Sequence, residues 1–180
     1  MPELRRLLKD NSDAIVRRWL DYVLRTYPKD GAAAFARQND PFANPVGHSL
    51  RVGTRAIFDR IVVGESCGDL RTHLGDVIRI RAVQQFTASQ AVGFVFLLKD
   101  AIREQLGAIT HNAAFKGELE DLDRTIDRLA LDAFDIFVQC REQLCELRIN
   151  EVKRSVSWVV QKMNERDRQP ELAGSEQRPE

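Results

Sequence analysis

The sequence contains few of the residues that interrupt helices, with 6 prolines and 10 glycines spread over 180 residues. It also lacks the alternation of apolar and polar residues that is typical of a half-buried β-strand. Apolar residues recur instead three and four positions apart, which is the period of a helix that buries one face. The sequence therefore predicts an all-α protein.

An excess of one charge is absent as well, because 27 basic residues balance 27 acidic ones. This balance argues against the clustered phosphate contacts that binding to DNA or RNA requires. The apolar run at residues 91–98 is far shorter than the ~20 residues of a membrane-spanning helix. Charges at Glu3, Arg5 and Arg6 leave no apolar stretch for a secretory signal. We therefore expect a cytoplasmic protein that neither inserts into a membrane nor binds nucleic acid.

Residues with reactive side chains form no recognisable motif. The three cysteines, Cys67, Cys140 and Cys145, are an odd set without a CxxC pair, which argues against disulfides or a thiolate metal site and favours reduced thiols. The sequence has no glycine-rich phosphate loop, no HExxH and no GxSxG. We expect no catalytic residues, no metal and no cofactor, and therefore a protein that is not an enzyme.

Local signals predict several helix ends. Asn44 followed by Pro45 is typical of a helix start, with the asparagine as the cap. Thr87 and Gln90 have the spacing of a capping box, which predicts that a second helix starts there. Gly107 is typical of the position just after a helix end.

Four further features concern local structure. We expect a short helix over residues 31–38 and a helix cap at Asp69. Residues 11–13, with the sequence NSD, either break or kink the N-terminal helix. Residues 91–98 are apolar on every side, so we expect a central helix that is buried all round.

The last part of the sequence predicts one long helix, because no proline or glycine interrupts residues 119–163. Two apolar stripes on it are out of phase, so different faces should be buried before and after about residue 147. The first stripe consists of Leu119, Leu122, Ile126, Leu129, Ala133, Ile136, Cys140, Leu144 and Leu147. The second consists of Ile149, Val152, Val156, Val159 and Met163.

The second stripe repeats as a heptad, which predicts that the helix protrudes and pairs with a second copy of the chain in a homodimer. The alternative is a bent helix whose end packs on its own domain. We expect a helical domain over residues 1–147, a linker or coiled-coil extension over 148–166 and a disordered tail over 167–180.

Three residues are candidates for ligand binding: His73, Arg81 and Gly93. Arg81 continues an apolar edge with Leu74 and Val77, so its side chain should point inward, where it either pairs with a carboxylate or binds an anion. Gly93 lies within a predicted helix and either permits a close helix crossing or leaves room for a ligand. His73 lies on an apolar edge, in step with Leu70, Val77 and Ile80, and is either a core-edge residue or an axial ligand of haem.

Four stretches together resemble the RsbRD-type N-terminal domain, the sensory module of RsbT co-antagonist (RsbR-type) proteins of bacterial stressosomes. They are RRWLDYVLRTYP (17–28), DPFANPVG (40–47), IRIRAVQQFTASQAVGFVFLLK (78–99) and AFDIFVQCREQLCELRINEVK (133–153). The resemblance implies an all-helical, globin-like fold without haem, a dimer and a role in signal input. In that family a linker helix carries the signal to a C-terminal STAS domain, and residues 146–163 are similar to this linker.

The 180 residues contain no STAS sequence, so we expect a stand-alone version of the domain that acts on a separate protein partner. The functional hypothesis is a non-enzymatic sensor or adaptor that transmits a ligand or partner signal through a dimeric C-terminal helix. Two alternatives stay open. One is a globin-like sensor of haem or a small gas. The other is a structural accessory protein of a larger complex, because stand-alone versions look similar to small proteins encoded near sulfur-respiration complexes.

Overall fold

The structure is a computed structural model that describes residues 2–28, 31, 35, 40, 42–63, 68–84 and 86–173. These residues form helices and the turns between them, which confirms the all-α prediction. The helices are α1 (Pro2–Asp10), α2 (Ser12–Arg25), α3 (Pro45–Val63), α4 (Gly68–Val83), α5 (Ala88–Gly93), α6 (Leu97–Leu106) and α7 (Lys116–Ala173). Two 3₁₀ turns, Gly107–His111 and Ala113–Phe115, precede α7.

The chain comprises two compact units, Met1–Cys140 and Arg141–Glu180. The buried apolar side chains of the described residues all lie in the first unit, from Leu4 on α1 to Phe137 on α7. Within this unit α3 packs on α4, α2 packs on α3 and α6, and α1 packs on α3. The predicted domain boundary after residue 147 stays a prediction.

The N-terminal segment is broken rather than kinked. Asn11 separates α1 from α2, and its φ of −105° and ψ of 11° depart from helical values. Its backbone amide and its side-chain Nδ2 both donate to the Leu7 carbonyl, at 3.1 and 2.9 Å. The asparagine side chain therefore satisfies a carbonyl at the end of α1 and stabilises the break.

The predicted caps at three helix ends are confirmed. Asn44 Oδ1 accepts a hydrogen bond from the Gly47 amide at 2.9 Å, at the start of α3. Thr87 Oγ1 accepts from the Gln90 amide at 3.3 Å while Gln90 Oε1 accepts from the Thr87 amide at 3.0 Å, which completes the capping box of α5. Gly107 follows the last residue of α6 with a φ of 53°, a value that favours glycine.

Two local predictions are not settled by the described residues. The helix expected over residues 31–38 lies outside them except for Gly31 and Phe35, which are helical. Asp69 lies within α4, which begins one residue earlier at Gly68, and its side chain is outside the description.

The backbone of α7 remains helical to Ala173, within the segment expected to be a disordered tail, and residues 174–180 lie outside the description.

The prediction of a single, fully buried helix at residues 91–98 is wrong. Helix α5 ends at Gly93 and α6 begins at Leu97, and Phe96 between them is 44% exposed. The junction is tightened by hydrogen bonds over three residues, from the Val95 amide to the Val92 carbonyl and from the Phe96 amide to the Gly93 carbonyl. A 3₁₀ passage of this kind has 3.0 rather than 3.6 residues per turn, so side-chain directions change and one ring points outward.

Candidate functional site

The candidate site in the first unit is built around Arg81, near the C-terminal end of α4. Leu74, Val77 and Ile78 on the same helix are buried in the core, and the side chain of Arg81 follows them inward. Arg81 is 0% exposed, which is rare for an arginine because a buried charge needs compensation. The burial of the Arg81 guanidinium therefore requires a physical explanation.

Two hydrogen bonds hold one nitrogen of the Arg81 guanidinium. Nη2 donates to Thr26 Oγ1 at 2.9 Å, just after α2, and to the Gln90 carbonyl at 3.0 Å, in α5. The guanidinium thus joins the ends of three helices.

Three aromatic rings surround the Arg81 guanidinium. Its central carbon lies 4.4 Å from the ring centroid of Phe86, 5.0 Å from that of Tyr27 and 5.5 Å from that of Phe94. Tyr27 and Phe86 also contact each other edge to face, with ring centroids 5.1 Å apart. Cation–π contacts are each worth about 0.5–2 kcal/mol, so they offset part of the loss of hydration at Arg81.

The remaining donors of this cluster have no acceptor. Arg81 Nε, Arg81 Nη1 and the Tyr27 hydroxyl are buried and have no partner at good hydrogen-bond geometry, although the side chains of Tyr27 and Arg81 interact directly. Among the described residues no Asp or Glu forms an ion pair with Arg81, so the expectation of a carboxylate partner is not met there. The other expectation, that Arg81 binds an anion, stays a prediction.

Burial changes the acid–base properties of both residues. Burial lowers the pKa of Arg81, and the neighbouring Tyr27 partly opposes this effect. Burial raises the pKa of Tyr27, and the charge of Arg81 partly opposes that effect. Both shifts have the sign expected for groups whose charged forms have lost water.

The Arg81 cluster is connected to the tightened junction between α5 and α6 through Phe94. The ring of Phe94 stacks on Trp19 of α2, with centroids 6.0 Å apart and planes 8° apart. The Leu98 amide donates to the Val95 carbonyl, which leaves the Phe94 carbonyl without a helical donor. Trp19 Nε1 donates to this carbonyl at 2.8 Å, so a tryptophan on α2 stabilises the break.

The structure does not bring the three predicted ligand residues together. His73 and Arg81 are eight residues apart on α4, which separates them by about 12 Å along the helix axis. His73 lines a groove of about 280 Å³ between α3 and α4 instead. There a Cβ on Gly53 would lie only 3.6 Å from the His73 carbonyl, so the helices are in direct contact and the geometry gives no support to the haem hypothesis.

Gly93 lies in α5 one turn after Gln90, whose carbonyl accepts from Arg81. A Cβ added at Gly93 would meet no heavy atom within 4 Å, whereas a Cβ at Gly53 would collide with Val77. Gly53 therefore permits a close helix crossing, but Gly93 does not. Gly93 borders open space on the helical turn that contacts the arginine.

A larger groove of about 560 Å³ lies between α2 and α6. Most of its charged residues are paired: Arg18 contacts Glu104 at 2.8 Å, Arg25 contacts Asp21 at 2.5 Å, and the Tyr22 hydroxyl donates to Glu104. These side chains are largely exposed, and exposed ion pairs contribute little to stability or binding. The groove is therefore a weaker candidate than the buried arginine.

The second unit carries a different kind of candidate surface on α7. Its five predicted interface residues are 48–62% exposed in the single chain, namely Ile149, Val152, Val156, Val159 and Met163. We call this set the C-terminal stripe. An apolar helix face of this length is typical of a surface that binds a partner.

Sequence reasoning missed several residues of both candidate sites, the Arg81 cluster and the apolar face of α7. No signal in the sequence places Tyr27, Phe86 or Phe94 beside Arg81. In the second unit Trp158 and Val160 are also exposed, at 60% and 50%. The four-residue spacing from Val156 to Val160 was the signal that could have identified the wider apolar face.

The described part of the chain is thus an all-α protein with a buried charged cluster and an exposed apolar helix face, features of binding and regulatory domains. A family profile, the RsbT co-antagonist protein rsbRD N-terminal domain, matches residues 13–152. This match covers more than half of the chain, so the protein belongs to that family of regulatory domains, as the resemblance implied. RsbR-type domains act in protein complexes.

No curated protein and no solved structure matches the sequence. In the part of the chain that the structure describes, no helix is both long and apolar enough to cross a membrane. Nor do the described residues bring together three or more His, Cys, Asp or Glu side chains that could hold a metal ion.

Proposed function

We propose that this protein is a cytoplasmic, non-enzymatic sensor domain that works as a homodimer. The first unit receives a signal, and the C-terminal stripe on α7 pairs with the stripe of a second copy. The signal changes the packing of this helix pair, which a separate protein partner recognises. The single observation that carries the proposal is the exposure of the heptad-spaced C-terminal stripe on a helix of an RsbRD-family protein.

The size of the C-terminal stripe supports a dimer of moderate affinity. Full burial of one such side chain is worth about 1.5–3 kcal/mol, and about half of each is already covered in the single chain. Ten side chains from two copies would therefore contribute about 8–15 kcal/mol, an upper estimate. Association costs about 4–15 kcal/mol. Since the two terms are comparable, dimer formation should depend on concentration in an accessible range.

Contacts within the first unit offer a route from the Arg81 cluster to α7. Phe94 links the cluster to the junction between α5 and α6, and α6 is joined to α7 by ion pairs. Lys99 Nζ lies 2.6 Å from Asp127, and Arg103 lies 2.5 Å from Asp123. A ligand can shift this arrangement only if it binds two packings with different affinity.

The proposal is tested by the double substitution Val156→Asp with Val159→Asp. Two carboxylates at adjacent heptad positions would be desolvated without partners in a dimer, so we expect the chain to become a monomer in sedimentation velocity. The matched control is Ser157→Asp with Gln161→Asp, which adds the same charge on another face of the helix. The control should stay dimeric, and a dimer that survives the valine substitutions would contradict the assignment of the C-terminal stripe.

A further inference from the structure

The Arg81 cluster presents an excess of buried donors. Nε carries one N–H bond and Nη1 carries two, and none of the three has an acceptor, nor has the Tyr27 hydroxyl. The arginine also has no ion pair among the described residues. Buried polar groups in folded proteins are hydrogen-bonded in the great majority of cases. Even when the neighbouring Tyr27 hydroxyl oxygen accepts one N–H bond of Arg81, more than one donor of the cluster is left without an acceptor, which indicates a missing one.

The chemistry of the missing acceptor follows from these groups. A water molecule accepts at most two hydrogen bonds, must place its own two hydrogens, and leaves the positive charge uncompensated. An oxyanion accepts through several lone pairs, donates nothing and neutralises the guanidinium. The single positive charge of Arg81 matches an anion with one negative charge, because a second negative charge would be buried without a partner.

We infer that Arg81 and the Tyr27 hydroxyl form a binding site for a small monovalent oxyanion, such as the carboxylate of a short organic acid. Arg81 compensates the negative charge through Nε and Nη1, and Tyr27 adds a neutral donor. The rings of Tyr27, Phe86 and Phe94 restrict the ligand to a few non-hydrogen atoms, since the guanidinium has no exposed surface.

Two features allow a ligand to reach this site. Of the three rings around Arg81, Phe86 is partly buried while Tyr27 and Phe94 are buried, so we expect a ligand to enter past the Phe86 ring, on the connection between α4 and α5. Gly93 lies on the turn of α5 after Gln90, and no heavy atom lies within 4 Å of the position that its Cβ would take, so no side chain closes this side of α5. Neither feature requires the core helices to separate.

This inference rests on the proposed function, because it names the chemical class of the signal. An anion bound to Arg81 would lie beside the ring of Phe94. This ring stacks on Trp19 of α2, and Phe94 itself lies at the junction between α5 and α6. The site therefore lies beside contacts that join α2, α4 and α5.

The test is calorimetric titration of the full chain with sodium formate, acetate and nitrate, compared with chloride, sulfate and phosphate at equal ionic strength. We expect saturable binding of the monovalent oxyanions, and a melting temperature that rises with their concentration. Divalent sulfate and phosphate should bind at least tenfold more weakly, because their extra charge stays uncompensated. Equal stabilisation by all salts would overturn the inference.

Variants separate this site from general salt effects. Arg81→Met keeps the volume but removes the charge, and it should abolish saturable binding. Arg79→Met, two residues away on the exposed side of α4, is the matched control and should bind as the wild type does. Tyr27→Phe keeps the ring and removes one donor, so it should fold and bind roughly tenfold more weakly. Binding that Arg81→Met and Tyr27→Phe both leave unchanged would contradict the site.

The titration is repeated in the Val156→Asp, Val159→Asp variant, so that the two proposals fail separately. Anion binding by the monomeric variant supports the site whatever the oligomeric state of the wild type. A dimeric wild type without anion binding overturns the inference and leaves the proposed dimer standing.

Discussion

Helix α7 carries apolar residues three and four positions apart in both compact units, yet the two sets differ in exposure. In the first unit Leu122, Ile126, Leu129, Ala133 and Ile136 are at most 8% exposed. The C-terminal stripe has the same kinds of residue at the same spacing and is about half exposed. One helix therefore supplies part of a core in one unit and an unpartnered apolar surface in the other.

This difference separates residues that stabilise the single chain from residues that are available to bind a partner. Apolar side chains that are already buried contribute to the folding of a single chain, roughly in proportion to the area removed from water. Those of the C-terminal stripe contribute little until another surface covers them. Substitutions in the two regions should accordingly change different measured quantities, the free energy of unfolding in the first and the association equilibrium in the second.

The two tryptophans give the largest contrast. Trp19 is fully buried, stacks on Phe94 and donates to its carbonyl, whereas Trp158 is 60% exposed in the second unit. Trp19→Ala should lower the free energy of unfolding by about 3–5 kcal/mol. Trp158→Ala should change it by less than about 0.5 kcal/mol.

Urea denaturation followed by circular dichroism measures both changes. It is best done in the Val156→Asp, Val159→Asp background, because association then adds nothing to the apparent stability. Similar losses in the two tryptophan variants would remove the distinction between the regions.

Two glycines provide a smaller contrast, between a tight and an open position within the first unit. A Cβ at Gly47 would lie 2.6 Å from the Phe35 carbonyl, so Gly47→Ala should destabilise the protein by about 1–3 kcal/mol. A Cβ at Gly93 meets nothing within 4 Å, so Gly93→Ala should stabilise the helix by about 0.5–1 kcal/mol. Thermal unfolding of both variants checks the signs, and a destabilising Gly93→Ala would contradict the open position of Gly93.

The sequence predicted the features that depend on neighbours along the chain. The caps at Asn44 and Thr87 and the helix end at Gly107 are local, because a side chain and the amides that it satisfies lie within four residues of each other. The inward direction of Arg81 also followed from helical spacing on α4. These predictions needed no knowledge of how the helices pack.

Features that depend on distant contacts were missed. Residues 91–98 look uniformly apolar, but Trp19 on α2 stabilises a break there by donating to a carbonyl 75 residues away in sequence. The aromatic rings around Arg81 likewise come from different parts of the sequence. Tyr27 lies before Arg81, and Phe86 and Phe94 lie after it. Helical periodicity carries no information on which helix faces meet.

The account depends most on the claim that the C-terminal stripe binds a second copy of the chain. Sedimentation velocity of the wild-type protein over a wide concentration range measures this directly. We predict a species of twice the 20.5 kDa chain mass that dissociates on dilution. A 20.5 kDa species at every concentration would contradict the account.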